Sequence, residues 1–219
     1  MPFAKKAVTI DLLNLSSVRN YFENTNIMNK STAEEYLNRL RIFNEFLYKE
    51  YGGMTIDNLL EKIKDGTINT YNILSRYSAD QKNCNISSTT IKQRVVTVKN
   101  FFEYNDIEVS PRIFKLKVRL PKIVRKNKEA ISKEDIADIL NHCSDIKLKT
   151  YVILLAATGM RASEALYIRI KDIDFEKHPA ELYIRGENTK TRVDRTIFLT
   201  EEVASQLISL TDLRGEKCI

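Results

Sequence analysis

Thr158-Gly159-Met160-Arg161-Ala162-Ser163-Glu164 is the stretch that decides how this chain is read. It follows an apolar run, Tyr151-Val152-Ile153-Leu154-Leu155-Ala156-Ala157, whose composition predicts a buried helix. It precedes Leu166-Tyr167-Ile168-Arg169-Ile170, a second segment with apolar patterning. Gly159 supplies a break, so Arg161 is expected to open a new helix beside a core. A guanidinium in such a place is rarely without a partner. It is either paired structurally with Glu164, one turn on, or aimed at an anion such as phosphate, which its planar fork suits. A helix N-terminus at Arg161 would add to the anion-favouring field.

Downstream, residues 180–185 read as a strand, Gly186-Glu187-Asn188 as turn chemistry, and residues 192–199 as a returning strand. Ile168-Arg169-Ile170 and Ile173-Asp174-Phe175 lead into this hairpin. Thr200-Glu201-Glu202-Val203 starts a last helix that reaches about Leu213. Lys190 falls at or just past the hairpin tip. A lysine there is ordinarily solvated. A mobile hairpin can also carry an ammonium into a site, where desolvation and nearby cations lower its pKa and make it a general acid. Upstream, Ser132-Lys133-Glu134-Asp135 is an N-cap pattern leading into Ile136, Ile139 and Leu140, and a further helix holds residues 148–157.

The part before residue 112 is helical by pattern. Thr32-Ala33-Glu34-Glu35 resembles a capped start, followed by Tyr36, Leu40, Phe43, Phe46, Leu47 and Tyr51 at helical spacing, and Gly52-Gly53 ends the run. A second helix is expected over 56–63, broken by Asp65-Gly66, and a third over 67–82 with Ile68, Tyr71, Leu74 and Tyr77. A fourth is capped at Ser87-Ser88-Thr89-Thr90 and carries Ile91, Val95, Val98, Phe101 and Phe102. Ser110-Pro111 is expected to stop this four- or five-helix bundle.

The net charge of +6 is unevenly placed: residues 1–122 hold 19 Lys and Arg against 13 Asp and Glu, whereas residues 123–219 hold 16 of each. The excess is sharpest in 112–128, where Arg112, Lys115, Lys117, Arg119, Lys122, Arg125, Lys126 and Lys128 occur with no acidic residue. Uncompensated like charges favour an extended linker that a polyanion could neutralise, and the phosphates of a nucleic acid fit best. A solvated linker with a solubility role is the alternative. Three separated cysteines, Cys84, Cys143 and Cys218, and two histidines, His142 and His178, give no metal spacing and no disulfide framework. With no signal-like leader and no apolar run near the roughly 20 residues of a membrane span, a cytoplasmic protein without cofactor or metal is expected.

Together these parts resemble the tyrosine site-specific recombinases, the phage-integrase and Xer-like family. The most specific match is ATGMRASEAL, residues 157–166, which is similar to that family's first conserved box; GENTKTRVDRTIFL, residues 186–199, is similar to its lysine hairpin. The resemblance implies a mainly α fold with a small β-hairpin or sheet. Residues 1–111 would be an N-terminal helical core-binding (SAM-like) bundle, 112–128 a basic linker, and 129–219 the first half of an α+β catalytic domain. It implies Arg161 as a catalytic arginine, Glu164 as its supporting carboxylate and Lys190 as the general acid, in a metal-free reaction through a 3′-phosphotyrosyl intermediate. Double-stranded DNA is the expected partner, held mostly through phosphates by Arg119, Lys122, Arg125, Lys126 and Lys128. Lys92, Gln93, Lys99 and Asn100 are candidate base-contacting residues on polar helix faces.

The family's His-x-x-Arg box and nucleophilic tyrosine have no counterpart here. His142 is followed by Cys143-Ser144-Asp145 and His178 by Pro179-Ala180-Glu181, and Tyr151, Tyr167 and Tyr183 are expected to be packing residues. The resemblance therefore implies a chain truncated within the catalytic domain. It would bind DNA without cleaving it. The alternatives are a recombinase completed by a separate C-terminal half, with a homo-oligomer on DNA possible, and a non-catalytic helical regulator in which Arg161–Glu164 is structural.

Overall fold

A computed structural model of the chain describes residues 11–124 and 129–212. The chain divides into two compact units at residues 126 and 127. The first contains helices α1 (Ser16–Met28), α2 (Lys30–Glu50), α3 (Ile56–Lys64), α4 (Thr70–Asn83), α5 (Ser88–Tyr104) and α6 (Pro111–Lys117). Side-chain caps fix where four of them begin. Asn29 accepts from the Thr32 N–H at 3.0 Å, Thr55 from Asn58 at 3.3 Å, Asn69 from Tyr71 at 3.0 Å and Ser87 from Thr90 at 3.2 Å. The cap at Asn29 places the start of α2 upstream of the expected Thr32. Helix α1, for which no sequence expectation stood, buries only Val18 and Tyr21 along a polar surface, too few positions to set a clear period.

The core of this unit is aromatic. Phe43, Tyr77, Phe101 and Phe102 are fully buried, and the Phe43 ring meets Tyr77 edge-on at 5.0 Å and Phe102 at 6.0 Å. The basic segment differs from its expectation. Pro111 opens a helix rather than stopping one, as its fixed φ and missing N–H allow at a first helical position. Val118 is buried in the aromatic core, Phe114 packs against it, and Ser78 Oγ donates to the Arg119 carbonyl at 3.0 Å. Arg112, Lys115 and Lys117 stay exposed. Residues 111–119 are thus helical and then docked rather than extended, because two inward apolar side chains outweigh the repulsion among solvated cations.

The second unit contains α7 (Lys133–His142), α8 (Ile146–Thr158), α9 (Ala162–Ala165), β1 (Ile173–Asp174), β2 (Glu181–Ile184), β3 (Arg195–Phe198) and α10 (Glu201–Asp212). The three strands form an antiparallel sheet in the order β1-β2-β3. Leu182 lies opposite Ile173 on one side and Ile197 on the other, and Ile184 opposite Arg195. Leu182, Ile184 and Ile173 face a core shared with Leu154, Met160, Ile168, Val203 and Leu207.

Two expectations are corrected here. Helix α8 is only partly buried: Leu154 is covered, Val152, Ile153 and Leu155 are half-buried, and Ala156 and Ala157 are exposed. The helix opened by Arg161 is a single turn, after which Leu166 is 71% exposed and a 3-10 turn follows at Ile170–Asp172. No described helix is long and apolar enough to cross a membrane.

Candidate functional site

Helix α8 ends where Gly159 takes a left-handed conformation, with φ of +63°, and its N–H closes the last turn on the Leu155 carbonyl at 3.0 Å. Buried Met160 then anchors the chain, so Arg161 becomes the residue that caps α9. Glu164 reaches back along this turn. Its Oε2 accepts from the Arg161 backbone N–H at 2.9 Å and its Oε1 from the Arg161 guanidinium at 2.9 Å. Because α9 is so short, the field at Arg161 comes from side chains more than from an aligned helix dipole.

The Glu164 side chain is 1% exposed, and it has a second cation. Arg195, on β3, donates from both terminal nitrogens, to Oε2 at 2.5 Å and to Oε1 at 3.3 Å. Successive strand residues alternate faces, so Arg195 shares the inward face with Ile197 and Ile184. Its side chain is 36% exposed, whereas the Glu164 carboxylate it meets is buried, so the pair satisfies the carboxylate's need for a counter-charge. The Arg195 hydrogen bonds, then the Arg161 backbone and side-chain bonds, hold the Glu164 carboxyl down to about 2, against the upward push of burial. Two guanidiniums on one ionised carboxylate leave the cluster with a net positive charge. Arg161, with its side chain 52% exposed, presents that charge to solvent.

The loop between β2 and β3 is shaped by short polar contacts. The Gly186 N–H donates to Asp194 Oδ1, Thr189 Oγ1 donates to the Gly186 carbonyl at 2.9 Å, and the Val193 N–H donates back to Thr189 Oγ1 at 3.2 Å. A Cβ on Gly186 would stand 2.9 Å from the Arg192 carbonyl oxygen, so a side chain there is excluded. Lys190 sits at the tip of this stapled loop, exposed, and among the described residues no ion pair holds its ammonium. The Asp194 carboxylate also accepts from the Tyr183 phenol, which raises the tyrosine above its ordinary value and lowers the aspartate.

The structure therefore joins the Arg161 turn and the Lys190 hairpin through Arg195, a residue to which sequence reasoning gave no role. Its signal was parity: it stands two residues from Ile197, on the core side of an alternating strand. The tyrosines depart from expectation. Tyr151 is half-buried and bonds the Ala162 carbonyl at 3.2 Å, but Tyr167 and Tyr183 are exposed, at 60% and 44%. On α5, Lys92 and Gln93 are exposed, Asn100 is half-buried, and Lys99 is tied to Glu103 at 2.6 Å, which offsets its charge. Arg119 and Lys122 are exposed beside the cations of α6. Arg125, Lys126 and Lys128 lie outside the described residues.

A helical bundle followed by an α+β unit with an arginine turn and a lysine hairpin is the arrangement of a tyrosine site-specific recombinase. The chain belongs to that family: the model of the phage integrase family matches residues 129–217. The tyrosine recombinase XerA of Saccharolobus solfataricus is 30% identical over 186 residues, covering 85% of this chain and 58% of the relative. The tyrosine recombinase XerD of Rickettsia bellii is 26% identical over 203 residues, covering 85% of this chain and 60% of the relative. This chain thus spans under two thirds of the length of these relatives. Among solved structures, the Tn1549 transposon integrase in complex with transposon right end DNA has the same fold, with a TM-score of 0.62 and 18% identity over 92% of this chain and 67% of that one.

Proposed function

We propose that this chain binds duplex DNA and presents two of the cationic groups with which a tyrosine recombinase handles a scissile phosphate. The observation that carries the reading is Arg161, half-exposed yet held at a buried, ionised Glu164 that also anchors the lysine hairpin. Arg161 neutralises a non-bridging phosphate oxygen, a role suited to a fixed guanidinium whose charge is in place before the transition state forms. Lys190, on its loop tip, protonates the 5′ oxygen as it leaves. The exposed cations of α6, with Arg119 and Lys122, neutralise backbone phosphates, and Lys92 and Gln93 on α5 reach base edges. Residues 1–111 act as the core-binding domain and 129–219 as part of the catalytic domain, with 112–128 carrying the basic charge.

These 219 residues contain no His-x-x-Arg. All ten tyrosines precede Gly186, whereas the family's nucleophile follows the lysine hairpin. Strand cleavage by this chain accordingly calls for that box and a nucleophilic tyrosine from further polypeptide. The test is equilibrium binding to a short fluorescent duplex as salt is raised. Affinity should fall by roughly 100-fold or more between low and moderate salt, as release of counterions from several phosphates requires. An affinity that does not change overturns the reading. On a nicked suicide duplex a covalent adduct is expected when a polypeptide carrying both that box and the nucleophilic tyrosine is added, and no adduct in its absence.

A further inference from the structure

We infer that Arg195 is a positioning residue, which fixes Glu164, through it orients the Arg161 guanidinium, and in the same contact fastens the Lys190 hairpin to the arginine turn. The inference rests on the reading that Arg161 meets a phosphate, and it adds what makes that arginine ready to do so. Three observations lead to it. Arg195 lies on β3 opposite Ile184, and although its side chain is 36% exposed it turns its guanidinium onto the buried Glu164 rather than out to solvent. Its fork spans both oxygens of Glu164, whereas the Arg161 guanidinium takes one of them and the Arg161 N–H the other. It follows Lys190 by five residues, on the strand that descends from the stapled loop.

Arg161 and Glu164 alone form an ion pair within one turn of helix, and such pairs are weak and mobile. A carboxylate gripped from the far side by a bidentate partner has one orientation left, and a guanidinium bonded to it inherits that orientation. The same grip restrains the root of the hairpin, so the exposed Lys190 is carried on a fixed base rather than drifting with the whole sheet. Arginine is needed at this position because a lysine contacts one oxygen at a time.

The test uses the full chain, labelled with 15N, and reads the side-chain Nε–H groups of arginine by NMR without DNA. In the parent, the order parameter of the Arg161 group should lie above about 0.6, the level below which a group counts as flexible, and in Arg195→Gln it should fall below that level. Arg195→Lys keeps the charge and should lie between the two. It also carries the test if Arg195→Gln fails to fold. The amide spectrum of the helices should stay in place in the lysine variant, which a merely structural role for Arg195 would not allow while Arg161 loosens. An Arg161 group as ordered in both variants as in the parent overturns the inference. A duplex is added to the parent as a separate arm. If the Arg161 signal then fails to shift while Arg195→Lys still loosens it, the positioning claim stands and the phosphate reading falls.

Discussion

The two units solve the same problem with different means. In the first, rings do the work: Phe43, Phe101, Phe102 and Tyr77 interlock at the centre of six helices, four of them begun by side-chain caps. In the second, the apolar core is thinner, α7 buries none of its side chains, and α8 leaves alanines in solvent. At its heart stands a carboxylate between two guanidiniums. Aromatic packing has no charge to titrate or screen, whereas a charge cluster responds to pH and to ionic strength. On the proposed function, the unit that would meet a phosphate is therefore the one whose core depends on ionisation, and the unit that would hold its shape against a duplex is centred on uncharged rings.

Experiments that separate the units can break this contrast. The largest effect should come from Phe43→Ala, which opens a cavity in the aromatic core and should cost about 4 kcal/mol. Hydrogen exchange should report the loss in α5 and not in α10. Glu164→Gln should cost about 3 kcal/mol, because two arginines lose their shared counter-charge, with the loss read in α10 and not in α5. If either change destabilises both units alike, the contrast fails.

Acid should imitate the second substitution. The Glu164 carboxyl is held at about 2 in the folded chain against an ordinary 4.5, so the unfolded state takes up the proton first. Its stabilisation is complete above pH 4.5 and is lost as pH falls toward 2. The loss is about 2 kcal/mol once screening around the two partly exposed arginines is allowed for. Thermal unfolding followed through the second unit's signals should move down over that window more than the first unit's. A smaller effect belongs to a cap: Ser87→Ala should weaken α5 by about 1 kcal/mol in denaturant titrations. The smallest belongs to Lys99→Ala, which removes a surface pair with Glu103 and should leave stability within about 0.5 kcal/mol.

Local signals in the sequence carried most of the first unit. Helical spacing with Ser87 before it placed α5, and the glycines after Glu50 ended α2, because caps and turns are written in a few neighbouring residues. Helix α1 and the docking of α6 were not legible in the same way: both depend on partners distant in the chain, and uncompensated lysines masked Phe114 and Val118. Arg161 and Glu164 could be picked out as a pair from their spacing, and Lys190 from its place at a turn. Arg195 could not, since its importance lies in which carboxylate it meets across 31 residues. The solvent-facing positions of Tyr167 and Tyr183 follow from a helix that stops after one turn and from the outward face of a short sheet, neither of which apolar patterning encodes.

Val118 is the last fully buried residue of the first unit's aromatic core. In a growing chain, that bundle can finish packing as soon as this residue is free, while Arg195 is still to be made. At about 5–20 residues per second, roughly 4–15 seconds separate the addition of Val118 from that of Arg195, long compared with the folding of a small helical domain. The second unit has no such head start: Glu164 is synthesised and must wait, a carboxylate without its fork, until the strand that completes it arrives.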